Sequence, residues 1–592
     1  MRILYTLFAI IPLLLACDGD IGLRTDVTIP ELQRHISYLA SDELAGRQTG
    51  TEGDSLAAEY IRKQFKRYGL EPVEGDGFQS FTVTSRLEAS DKNSFEWGGS
   101  SLNHGSDFTP LSISQNGSVT ADVVFAGYGF IISSDTLEWN DYESIDAKGK
   151  WVMVLRADPE VENNASGFAA VSSDRHKAMT ARDVGAAGII LVSGVKYDPN
   201  DEFEALRNAD LPAGIPAVRL TRNSASQILA GSGSTVEEIE TKLNETRKPA
   251  SFATGVTVTA TTDLTRINSP TRNVAMVLPG SDETLKNEYV IIGAHYDHLG
   301  MGGPGSSSRA TDTVAVHYGA DDNASGVALM IEMAGRFAGT QGSNARSLVF
   351  VAFSGEEMGL LGARFFADNP PFDLKSANAM VNLDMVGRLR ETGTLQVGGA
   401  GTAAGLPDIL TQGVDTSVLR LAISDEGYGP SDHSAFYGKE IPVVFVSTGA
   451  HLDYHTPSDT KERINYEGMI SISDYLYGII QTVANSEERL VFQEAGPKDG
   501  GSRGMRRKGV TLGIMPDFAG NVKDGLRADF VTPGRPAALG GMKRGDIIRS
   551  VNGKPVSNIE DYMFRLNQLK QGETITVEID RDGKKEVLLI QL

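Results

Sequence analysis

Five short motifs carry the residue types that metal-assisted hydrolysis requires. His295-Tyr296-Asp297 closes an apolar run over 289–294, Glu356-Glu357 follow one over 348–353, Asp384 ends a third over 379–383, and His455 follows a fourth over 442–447 after a short loop. The fifth motif, Asp321-Asp322, lies in a loop bounded by Gly319 and Gly326, next to a helical pattern over 324–337. Ligands of open α/β sheets sit outside the carboxyl ends of the strands, so these side chains are expected to converge on one crevice. Several carboxylates and two imidazoles cannot share a buried crevice cheaply without a cation, because unpaired buried charges cost several kcal/mol each. A pair of metal ions resolves the conflict. Asp, Glu and His without Cys is the donor set of catalytic zinc, and a carboxylate shared between ions about 3.5–4 Å apart forms a two-metal clamp for hydrolysis.

Within the set, residues two apart on an extended strand end share a side, so Asp297 is expected to orient the His295 imidazole from behind. Glu356 and Glu357 divide into a base and a ligand. Taken singly, each motif has a plainer reading: a structural histidine, a solvated acidic pair, a helix N-cap. Their recurrence at consecutive strand ends favours the metal reading.

The runs that position these motifs are apolar, β-branched and of strand length, and they alternate with amphipathic helical patterns, which indicates a mainly parallel mixed sheet flanked by helices in the α/β class. A helical pattern over 54–68 precedes them, with Gly69 as its stop. Between 118 and 257 the texture changes to short β-rich runs, as in an inserted α/β domain. Residues 488–507 read as a linker. Residues 508–592 read as a compact β-rich unit with one helix.

Composition narrows the function. The formal net charge of −22 over 592 residues argues against nucleic acid as a partner. The single cysteine, Cys17, excludes an intramolecular disulfide and a cysteine-based zinc site. Cys17 follows an apolar stretch of signal-peptide length, and Leu14-Leu15-Ala16-Cys17 resembles a bacterial lipoprotein cleavage box. That resemblance implies removal of a signal peptide over 1–16, lipidation of Cys17, and an exported chain anchored to a bacterial membrane facing the periplasm, on the inner or the outer membrane.

The ordered set His295-Tyr296-Asp297, Gly319 to Gly326, Ser354 to Gly359, Asn382 to Met385 and Tyr454 to Pro457 resembles the co-catalytic di-zinc aminopeptidases, whose clan includes glutamate carboxypeptidase, the transferrin receptor and glutaminyl cyclase. The resemblance implies a zinc exopeptidase fold and two Zn2+ per chain. His295 and Asp384 would hold one zinc, Glu357 and His455 the other, and Asp322 would bridge them. Glu356 would be the general base, Asp297 an auxiliary catalytic residue, and Tyr428, in Gly427-Tyr428, a transition-state stabiliser. Residues 27–117 and 258–487 would form the peptidase, 118–257 a protease-associated domain, and 508–592 a PDZ domain. Leu512, Gly513 and Ile514 would be the PDZ loop that takes a peptide C-terminus. The implied reaction is removal of N-terminal residues from peptide substrates by a metal-bound hydroxide. Carboxypeptidase or glutaminyl-cyclase-like chemistry, or non-catalytic peptide binding, are the competing readings.

Overall fold

The computed structural model describes residues 25–134, 136–163, 166–207, 210–303, 306–340, 342–495, 510–517, 522 and 524–592. The leader with Cys17 and linker positions 496–507 lie outside the described residues.

The core is a nine-stranded sheet. Its centre is four parallel strands in the order Ser347–Phe353, Tyr289–His295, Ala377–Leu383 and Val443–Ser447. The first three are buried almost throughout, as continuous apolar runs in a doubly covered sheet should be. Gly293 is required by packing, since a Cβ there would stand 2.6 Å from the Phe353 ring. Antiparallel flanks make the sheet mixed, as the sequence indicates. Leu264–Leu278 pairs antiparallel with Ser347–Phe353 and with the long strand Phe78–Ala89, and Thr394–Gly398 pairs antiparallel with Val443–Ser447. Helices cover both faces. Ile29–Leu39, Glu52–Arg67, Gly326–Gly339 and Tyr466–Asn485 contribute to the larger apolar cluster, while Leu361–Asp368 and His433–Tyr437 contribute to the cluster on the other side.

The insert is an eight-stranded sheet in which Gly117–Ala126, Trp151–Leu155, Gly188–Val192 and Ala217–Leu220 run parallel. It also recruits Ser94–Trp97, Ser100–Ser101, Phe108–Pro110 and the strand Ser251–Thr262. The boundaries at 118 and 257 therefore fall inside this sheet, because Gly117–Ala126 opens on polar residues and the threonine-rich Ser251–Thr262 carries no continuous apolar run to mark its end.

The C-terminal unit is a strongly antiparallel sheet over Ile514–Pro516, Leu526–Val531, Ile547–Val551, Thr574–Arg581 and Lys584–Gln591, with the helix Ile559–Asn567 packed against it. It is docked on both other units. Phe564 of that helix enters the apolar cluster of the insert beside Ala178 and Ile189. Burying such a side chain contributes about 1.5–3 kcal/mol. Asp561 accepts from Arg182 at 2.8 Å, and Arg565 is paired with Asp183. On the core side, Arg364 lies 3.4 Å from Asp517, and Arg544 donates to Glu440 at 3.1 Å. The start of the linker is likewise bound rather than free. Phe492 packs on Tyr437, the Tyr437 hydroxyl bonds to the Ala495 backbone, and Arg489 donates to the Lys375 and Ala377 carbonyls.

Candidate metal centre

The parallel strands bring the five expected ligands together. His295, at the end of its strand, places Nε2 3.3 Å from Asp322 Oδ1 and 3.7 Å from Asp384 Oδ1. His455 Nε2 lies 3.2 Å from Asp322 Oδ2 and 3.2 Å from Glu357 Oε2. Asp322 thus turns one oxygen to each side and divides the site into two donor groups.

Local structure fixes that carboxylate. Gly319 takes a φ of 52°, and a Cβ there would stand 2.1 Å from the Asp322 carbonyl oxygen. The Asp321 and Asp322 amides both donate to Asp459 Oδ2 at 3.0 Å. Asn323 donates to the Leu383 carbonyl and accepts from the Met385 amide, which stitches the loop to the strand that delivers Asp384. Behind the loop, the fully buried Arg47 donates to the carbonyls of Tyr296, Tyr318 and Gly319. Burial pushes its pKa down to about 10, with Asp322 and Asp297 opposing.

Asp297 lies behind His295, as its spacing predicts, although the closer contact to the imidazole runs from His295 Nδ1 to the Asp297 carbonyl at 3.2 Å, the carboxylate standing 3.7 Å away. That contact puts the proton on Nδ1 and leaves Nε2 to face Asp322 and Asp384. The Asp297 carboxylate accepts from Thr49 Oγ1 and from the amides of Glu356 and Glu357, so it also sets the acidic pair. His455 is fixed similarly, with Nδ1 donating to the Ser307 carbonyl at 3.1 Å.

The two glutamates differ electrically. Burial, with Glu357, Asp432 and Asp384 close by, drives the Glu356 carboxyl well above the ordinary range despite His295. Glu357 is held below its ordinary range: burial and Asp322 push it up, but the imidazoles of His298 and His455 outweigh them. Two adjacent carboxyls pushed apart in this way suit opposite roles, one as proton acceptor and one as permanent anion.

Two further residues join the centre without having been picked out as site residues from sequence. His298, three residues beyond His295, places Nδ1 2.8 Å from Glu357 Oε1 and 3.8 Å from Asp322 Oδ2, which makes a donor triad of His298, Asp322 and Glu357 beside that of His295, Asp322 and Asp384. Strict alternation would put it with Tyr296 on the side away from His295, and its nearness in sequence to His295-Tyr296-Asp297 was the available signal. Asp432 is fully buried with neither carboxylate oxygen hydrogen-bonded, and burial lifts its pKa to about 8, with His295 opposing and Asp297 and Asp384 adding.

Tyr428 stands apart from this group. Its ring packs on Tyr437 at 4.5 Å and on Phe530 of the C-terminal unit at 5.4 Å, and it lines a cavity of about 160 Å³ with Arg364 and Asp529. The Gly427-Tyr428 segment is drawn to that junction by apolar packing, so the structure does not bring Tyr428 to the ligands. The tyrosine against a ligand is Tyr454, stacked on His455 with ring centroids 3.8 Å apart, and burial followed by Asp322, Glu357 and Glu356 raises its pKa.

The donor set fits a metal pair. His455 Nε2 and His298 Nε2 are buried without a hydrogen bond, although carboxylate oxygens lie 3.2 Å from the first, and Asp322 faces imidazoles with both of its oxygens. Apart from the His298 Nδ1 contact with Glu357, these donor atoms crowd together without bonding one another, as a shared cation requires.

Residues 273–480 match the profile of peptidase family M28, residues 119–228 that of the PA domain, and residues 512–592 that of the PDZ domain. The chain carries an M28 peptidase domain. Every ligand named above lies within it. A probable zinc metalloprotease of Pyrenophora teres is 35% identical over 160 residues, which covers 27% of this chain and 32% of that protein. Leucine aminopeptidase 1 of Ajellomyces dermatitidis is 26% identical over 231 residues, 36% of this chain and 56% of that protein. The matches therefore span only part of these relatives. Among solved structures, a zinc aminopeptidase from Bacillus subtilis aligns over 79% of this chain and 97% of its own, at 22% identity and a TM-score of 0.47. Beyond the M28 domain, the PDZ loop has Leu512 fully buried and Gly513 at a φ of 74°, where a Cβ would meet the Arg535 side chain at 2.2 Å.

Proposed function

We propose that the chain is a zinc-dependent exopeptidase that removes N-terminal residues from peptides, with two zinc ions per chain. The observation that carries this reading is Asp322, whose two oxygens face His295 on one side and His455 on the other, with Asp384 and Glu357 completing the two donor groups. Bound zinc would supply positive charge for the carboxylates and Lewis acidity toward water and the substrate carbonyl.

The chain's own groups do the rest. Glu356, held beside the donor groups by its amide bond to Asp297, accepts a proton from the attacking water and delivers it to the departing amine. Asp297 holds the Nδ1 side of His295 and the backbone of Glu356, so base and ligand keep one geometry. The carboxylates at the centre also suit a free α-ammonium group, which favours N-terminal over internal cleavage.

Release of p-nitroaniline from a panel of aminoacyl-p-nitroanilides, with an N-acetylated control, tests the reading. Leucine p-nitroanilide comes first, because relatives are named leucine aminopeptidases. Turnover of free but not acetylated substrates is expected. Cleavage of the acetylated control, or turnover only of substrates with a free carboxyl terminus, contradicts it.

The PDZ domain is proposed to bind a peptide C-terminus through Leu512, Gly513 and Ile514. The exported, lipid-anchored location is likewise a proposal, resting on the leader ending at Cys17. Cys17→Ser should move the protein from the membrane to the soluble exported fraction. No helix among the described residues is long and apolar enough to cross a membrane.

A further inference from the structure

The insert contains a cavity of about 610 Å³ at the carboxyl ends of its parallel strands. Arg156 directly follows Trp151–Leu155, Ser193 follows Gly188–Val192, and Arg219 lies within Ala217–Leu220. Ligands of parallel sheets sit at this edge, and the volume is that of a small-molecule or short-peptide site. Arg156 is 4% exposed and Arg219 1% exposed. Arginines this deeply buried need anionic or carbonyl partners.

What neutralises Arg156 is unequal in quality. Asp174, at the start of the helix Asp174–Asp183, accepts from Nε at 2.9 Å and is largely buried. Glu204 places both carboxylate oxygens on Nη2, at 2.9 and 3.1 Å, yet its side chain is 61% exposed. It sits on an irregular stretch that also lays Tyr197 over Arg156 and Phe203 over Arg219, each at 5.3 Å. Arg219 keeps Nε buried and without a hydrogen bond, while its Nη2 pairs with Asp198 and, at 3.4 Å, with Asp201. Arg175 and Arg207 line the same cavity and share one carboxylate, Asp210, at 3.6 and 4.0 Å, so arginines still outnumber acids along the lining once Glu204 is removed.

We propose that this cavity is a carboxylate-binding site, filled here by the chain's own Glu204, which gives way to the carboxylate of an acidic peptide. An exposed ion pair holds weakly, so exchange of one carboxylate for another on Arg156 costs little. The arginine itself stays fixed by Asp174, and Ser193 Oγ lies 3.4 Å from its Nη1. The site is separate from the metal centre and does not depend on the peptidase reading.

Calorimetric titration of the full chain with acetyl-Gly-Glu-Gly-amide and acetyl-Gly-Gln-Gly-amide tests the proposal. The acetyl cap blocks anchoring of an amine at the metal centre, and the terminal amide removes the carboxylate that a PDZ loop takes. Glu204→Gln changes one exposed side chain and leaves the strand ends intact. It is expected to tighten binding of the glutamyl peptide about threefold, the size of a released surface ion pair, and to leave the glutaminyl peptide unchanged. Acetyl-Gly-Gly-Gly with a free terminus forms the second arm: a gain on Glu204→Gln in either arm supports the site and identifies a side-chain or a terminal carboxylate as its ligand. Identical affinities for wild type and Glu204→Gln in both arms overturn the proposal, as does a gain of the same size for the glutaminyl peptide.

Discussion

Asp322 presents Oδ1 to His295 Nε2 at 3.3 Å and Oδ2 to His455 Nε2 at 3.2 Å, so one side chain belongs to two donor groups. Loss of Asp322 is therefore expected to be the most damaging of the five ligand substitutions. Asp322→Asn should empty both metal positions and remove turnover, whereas Asp384→Asn or Glu357→Gln should each deplete one. Zinc analysis of the three purified variants checks the ranking, and equal depletion in all three would count against a shared ligand.

Glu356→Gln should retain zinc while turnover falls about 10²–10⁴-fold, as for a lost general base. Asp297→Asn acts one step further out, through His295 and the Glu356 amide, and should cost about 10–100-fold in metal affinity or activity. Measuring zinc content alongside kcat separates the two effects, since only the second variant should lose both together.

Tyr454 stacks on a ligand, whereas Tyr428 faces the PDZ domain. Tyr454→Phe should lower kcat, and Tyr428→Phe should leave it within about twofold while shifting thermal stability, because surface and junction changes rarely reach the chemistry. The reverse order would show that the 427–430 segment moves to the ligands during turnover.

The ligands were legible because His295 and Asp384 close or directly follow buried strands, Glu357 and His455 lie on the loops that leave two more, and Asp322 sits in the loop before a helix, all of which parallel strands deliver to one edge. The linker, the PDZ docking and Tyr428 were not. Asp183 and Arg565 are separated by most of the chain, and their pairing leaves no periodic trace. Phe564 looks like one more apolar residue of an amphipathic helix until the insert is seen to bury it. Arg47 was invisible for a related reason: its partners are backbone carbonyls, of Leu39 nearby and of Tyr296, Tyr318 and Gly319 far along the chain, and backbone acceptors have no sequence signature.

Docking of the PDZ domain has a measurable consequence. Arg565→Ala leaves Asp183 near a largely buried junction with one fewer cation, a change that costs about 3–5 kcal/mol where the pair is fully buried and less here, with Lys554 also within 3.5 Å. Proteolytic release of the C-terminal unit should accelerate in this variant, and an unchanged rate would show that the contact does not hold the domain.

His433 is buried against Phe445 and burial lowers its pKa to about 3. The folded state thus keeps it neutral while the unfolded chain protonates it near 6.5. Its contribution is complete above about pH 6.5 and is lost as pH falls toward 3, at up to about 1.4 kcal/mol per pH unit. His433→Gln should flatten the fall in unfolding midpoint between pH 7 and 5; the same slope in wild type and variant would assign it elsewhere.

Zinc titration of the chelator-stripped full chain, followed by hydrolysis of leucine p-nitroanilide, tests the central assignment most directly. The paired donor groups sharing Asp322 predict that activity keeps rising until two zinc ions are bound per chain. Full activity at one zinc, unchanged by a second, would contradict it.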